Sequence, residues 1–181
     1  MKKILTLIIT YLFVLVLSGA VRTEILIANT HSSIADLART SGHLTNVVYS
    51  IFSILVFILL IAFTWYIINL FSKTITKNDI VRASSHIATA GIGGEILKIG
   101  LVLLFLPNEL KGHIFESDVD FSNFIMQTDW FLFNYATNIF FITLGIFLFL
   151  RDLKIESNAN WKELAISGSL ILGVMFLLNA N

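Results

Sequence analysis

Apolar residues gather in five long blocks, 4–20, 47–71, 86–106, 130–150 and 164–178, with shorter polar stretches between them. Each block is continuous rather than alternating, which predicts helices and argues against the short in-and-out strands of a membrane barrel. A helix crosses a bilayer with about 20 mostly apolar residues, a length the middle three blocks meet and the outer two approach. No internal repeat, low-complexity tract or Pro/Gly-rich linker divides the chain. The pattern predicts an all-α, polytopic transmembrane helical bundle of five spans in a single domain covering residues 1–181.

Composition narrows the class further. Of 181 residues, 56% are hydrophobic and only 13% charged, with mean hydropathy +0.85. Soluble domains carry charge on about a quarter of their residues, so a lipid bilayer is the expected surrounding. A net charge of zero without a basic run gives no footprint for nucleic acid. The absence of cysteine excludes disulfides, thiolate metal sites and cysteine nucleophiles.

The cations set an orientation. With the N-terminus in the cytoplasm, Lys2, Lys3, Lys73, Lys77, Arg82, Arg151, Lys154 and Lys162 fall inside, while Arg22, Arg39 and Lys111 fall outside. Such a bias is the positive-inside pattern, and five spans then place the C-terminus outside. Tyr49 and Trp130 would mark the outer interface, and Trp65, Tyr66 and Trp161 the inner one. Short hydrophilic termini without eukaryotic targeting signals fit a bacterial inner membrane. The first block has a competing reading, because Lys2 and Lys3, an apolar core and then Ser18-Gly19-Ala20 also describe a signal peptide cut after Ala20. That reading leaves four spans and the same topology beyond residue 20.

Charge interrupts the third block. Glu95 and Lys98 lie three residues apart near its middle, where each charge costs about 2.5 to 3.5 kcal/mol on insertion scales. At helical spacing they continue a stripe from Ser84, Ala88 and Gly91, so the charges share a face with small residues that admit close packing. Ala90 and Gly94 add a parallel small pair, and Gly91, Gly93 and Gly94 crowd the turn before Glu95. The single proline, Pro107, falls where this block ends. Two readings compete for the pair. It specifies bundle packing by internal neutralisation, or it forms part of an ion or proton pathway.

Other polar positions are weaker signals. Asn134 and Asn138, one turn apart in the fourth block, are the candidate cross-helix partners of the pair. In the fifth block Ala165, Ser169 and Gly173 form a small stripe suited to helix packing. Ser32 or Ser33 predicts the cap of a short outer helix through Ile34, Leu37 and Ala38, ended by Gly42. Glu109, His113, Glu116, Asp118 and Asp120 make an acidic outer loop without the pattern of a calcium site, and Phe121, Phe124 and Ile125 share an interfacial face after it. His31, His43, His86 and His113 do not pair at equal depth on facing helices, so neither haem nor another cofactor or metal is expected. No hydrolase elbow or zincin motif is present. The reading that follows is a non-enzymatic component of a membrane assembly, bound by lipid and by further copies or other membrane subunits. A transporter or channel subunit centred on Glu95 and Lys98 is the alternative.

Overall fold

The computed structural model describes residues 2–28, 32–71, 74–113 and 124–179. Expectations for Glu116, Asp118, Asp120 and Phe121, and for the side chains of Ser32, Ser33, Ile34, Leu37 and Ala38, lie outside the described residues. Among the described residues the long helices are, in order, α1 Lys2–Ala28, α2 Ser32–Phe71, α3 Lys77–Leu110, α4 Asp129–Glu156 and α5 Trp161–Asn179. No strand occurs among the described residues, so the fold is an all-α bundle. Among the described residues four helices, α1 to α4, are long and apolar enough to cross a membrane, which fits a membrane location. The fifth apolar block lies within the 19-residue α5.

Two boundaries differ from the sequence reading. The expected short outer helix does not stop at Gly42, because α2 runs through it as one 40-residue element. Gly42 is instead a point of close approach, since a Cβ there would lie 2.8 Å from Thr23 Cγ2. Pro107 does not end α3 either. A proline in the last turn forfeits one backbone bond, and α3 ends beyond it at Leu110, followed by Gly112, whose φ of 82° suits glycine.

The chain forms two compact units, one from residues 1–11, 52–91 and 141–181 and the other from 12–51 and 92–140. The core of the first holds Phe57, Leu60, Ile68, Ile80, Ile87, Phe149, Leu153 and Ile171. Local signals at the helix ends aim side chains into it. Thr76 caps α3, with its N–H donating to Asp79 Oδ2 at 2.9 Å and the Asp79 N–H returning to Thr76 Oγ1 at 3.3 Å. The flanking Ile75 and Ile80 are both buried, the arrangement of a hydrophobic staple. At the end of α4, Asn158 takes φ 51° and the Ala159 N–H reaches back to Leu153 O at 3.1 Å, so a left-handed residue turns the chain back on the helix end. Asn160 then caps α5 in a reciprocal box with Glu163, at 2.7 and 3.0 Å.

The second unit has a smaller core of Val102, Leu106, Leu110 and Trp130, with Phe124 and Ile125 packed against it. Trp130 is only 6% exposed and belongs to this core. Here α1 and α2 join along a seam in which Gly19 meets Asn46 and Gly42 meets Thr23. Asn46 Nδ2 donates to Thr23 Oγ1 at 2.7 Å, so two glycines open the space and two polar side chains fill and bridge it.

Candidate functional site

Glu95 and Lys98 form an ion pair on α3, with side chains 12% and 16% exposed. The acid precedes the base by three residues, the favourable sense along a helix axis. Gly94 beside them is buried, while Ile96 and Leu97 are exposed. The charges therefore lie on the covered side of α3 within the second unit, and the apolar neighbours face outward. Charge neutralised inside one helix turn presents little net field to its surroundings. Removing either member alone would leave an uncompensated charge in a poorly hydrated place.

The small members of the stripe are also covered, within the first unit. Ser84 and Ala88 are buried, and Ser84 Oγ donates to Ile80 O at 2.7 Å. Gly91 receives the ring of Tyr11, whose Cζ would lie 2.7 Å from a Cβ at that position. Close packing of Tyr11 accounts for glycine there. Asn134 and Asn138 are half-buried on α4 beside the buried Thr137, and neither amide hydrogen-bonds Glu95 or Lys98 among the described residues.

The small stripe of α5 is turned away from the core. Ala165, Ser169 and Gly173 are exposed, and nothing lies within 4 Å of a Cβ built on Gly173. The face that packs inward is Glu163, Leu164, Ser167 and Ile171. Gly168 accompanies it against Leu150, where an added Cβ would meet Cδ1 at 3.3 Å. Ser169 and Gly173 thus do not pack against other described residues. Small size at helical spacing is what nominates the outward face, whereas the buried face carries Leu164 and Ile171 together with Glu163 and Ser167.

One polar network escaped the sequence reading. Arg82 on α3 reaches Asp152 on α4 through Nε at 3.1 Å, Asp79 through a second nitrogen at 3.2 Å, and Ser157 Oγ at 2.9 Å. His86 Nε2 stands 3.7 Å from the other oxygen of Asp152. All three guanidinium nitrogens are occupied, a fork geometry that lysine could not reproduce. The sequence signal was the i, i+3 spacing of Asp79 and Arg82, but the partner 70 residues away carried none.

Four buried polar atoms among the described residues have no partner, one of them Glu163 Oε1. Thr64 Oγ1 sits among Phe57, Leu60, Ile61, Ile87 and Phe149 in a crevice with no room for a water molecule. Glu109 accepts the Trp130 N–H at 3.1 Å through one oxygen and leaves the other unbonded, as is the Trp130 indole N–H. Glu109 therefore acts as a cap on α4. Its loop neighbour His113 stacks on Phe124 at 4.3 Å, and no cluster of three metal-ligating side chains occurs among the described residues. Comparison of the chain with protein-family models, curated proteins and solved structures finds no match.

Proposed function

We propose that this chain is a small multi-pass integral membrane protein that serves as a non-enzymatic component of a membrane assembly. The observation that carries the reading is the outward stripe Ala165, Ser169 and Gly173 on α5. Small residues on an exposed face of an apolar helix let a second helix approach closely, and lipid alone does not require them. The closure of Glu95 on Lys98 supports a packing role over ion passage, because the carboxylate already holds a cation.

The eight-to-three distribution of cations supports a cytoplasmic N-terminus. Gly19 supports a retained first helix, since cleavage after Ala20 would remove its contact with Asn46. Native mass spectrometry after mild solubilisation tests the assembly reading. Wild-type chain is expected as a defined homo- or hetero-oligomer, and Gly173→Leu with Ser169→Leu as a folded chain released from it. A wild-type protein that is monomeric across detergents overturns the proposal.

A further inference from the structure

The sequence from 151 to 163 is formally neutral, with cations Arg151, Lys154 and Lys162 against acids Asp152, Glu156 and Glu163. The fold breaks that balance. Asp152 is held by Arg82 and is 13% exposed. Glu163 is 2% exposed, and its carboxylate turns back to accept the Asn160 N–H. Glu156 is left as the one exposed acid of the segment, against three exposed cations. Arg151 and Lys162 have no ion-pair partner among the described residues.

Trp161 adjoins Lys162 in sequence and Lys154 in space. Its side chain is 79% exposed, a large loss of apolar burial for a chain in water. Lys154 Nζ lies 5.6 Å above the indole ring and donates to Ala159 O at 3.2 Å, so the ammonium is held at the ring rather than free to wander. An amphipathic indole beside fixed and free cations matches the boundary between acyl chains and phosphates, where tryptophan is favoured and each nearby cation draws anionic lipid.

We propose that Arg151, Lys154, Trp161 and Lys162 form a binding surface for the headgroup of an acidic phospholipid. The indole packs at glycerol depth, and the three cations face the phosphodiester and its leaflet. The proposal rests on membrane insertion but not on the assembly reading.

Full-length protein carrying Trp65→Phe and Trp130→Phe, which leaves Trp161 as the fluorophore, is reconstituted in phosphatidylcholine vesicles containing brominated lipid. Quenching by brominated phosphatidylcholine reports insertion itself. The proposal expects brominated phosphatidylglycerol to bind at Trp161 at least about threefold more strongly than brominated phosphatidylcholine, on the scale of about one favourable contact per juxtamembrane cation. Arg151→Gln with Lys162→Gln is expected to bring the ratio to parity while quenching by phosphatidylcholine persists. Equal quenching by the two lipids in the parent protein overturns the proposal, whereas no quenching by either overturns insertion. Because Trp130 is buried and its replacement can disturb folding, lipid retention by the unsubstituted chain in native mass spectrometry gives a second readout. Selective retention of phosphatidylglycerol, lost in the double variant, supports the site, and indifferent retention sinks it.

Discussion

Arg82 Nε and Asp152 Oδ2 meet at 3.1 Å across 70 residues of chain, fastening the start of α3 to the end of α4. The arginine is about half exposed, so solvent screens part of the attraction. Arg82→Gln is expected to lower unfolding stability by about 1 kcal/mol, toward the upper end for exposed pairs because the guanidinium serves three acceptors. A double-mutant cycle with Asp152→Asn in detergent checks this, and additive losses would show that the two residues are not coupled.

Asn160 and Glu163 satisfy one another's backbone N–H groups at the start of α5. Asn160→Ala is expected to cost about 1 kcal/mol, and Asn160→Asp much less, because aspartate can still accept from the helix. Hydrogen exchange should quicken through the first turns of α5 in the alanine variant. Unchanged protection there would contradict the capping assignment.

At the seam of α1 and α2 a Cβ on Gly19 would come within 2.7 Å of Asn46 Cγ. Gly19→Leu is expected to separate the helices and cost about 1 to 3 kcal/mol through overpacking. Gly173→Leu, with open space around it, should leave the thermal midpoint of the monomer nearly unchanged. Equal losses for both substitutions would refute this contrast.

Glu95 and Lys98 neutralise one another, which makes single and double replacements differ in kind. Glu95→Gln or Lys98→Met alone is expected to cost about 3 kcal/mol by leaving one charge without its partner, and the double variant should recover most of that loss. Thermal midpoints in detergent measure the recovery. Vesicle flux measured on the same double variant addresses the alternative role, since a drop in flux with the fold intact would favour an ion pathway.

Helical architecture was legible because long apolar blocks leave one practical solution in lipid, where backbone groups must bond within their own segment. The Glu95 and Lys98 stripe was legible for a similar reason, since helical spacing alone gathers its members. Cross-helix relations were not. Gly19 read equally well as part of a cleavage signature, and nothing in sequence separation links it to Asn46. On α5 the small stripe and the packed face lie side by side, and only tertiary placement chose Leu164, Ser167 and Ile171 for the interior. The place of Trp130 in a core with Leu106 and Leu110 likewise carried no signal in the sequence.

The interleaving of the two units bears on the order in which the chain can mature during synthesis. The unit built from 12–51 and 92–140 has its full complement of residues once position 140 has been added. The other contains the first residues made, yet waits for 141–181 to supply Phe149, Leu153 and Ile171. Until then Phe57, Leu60 and Ile87 lack the neighbours that bury them, so the insertion machinery must shelter the segment 52–91 until residues 141–181 are made.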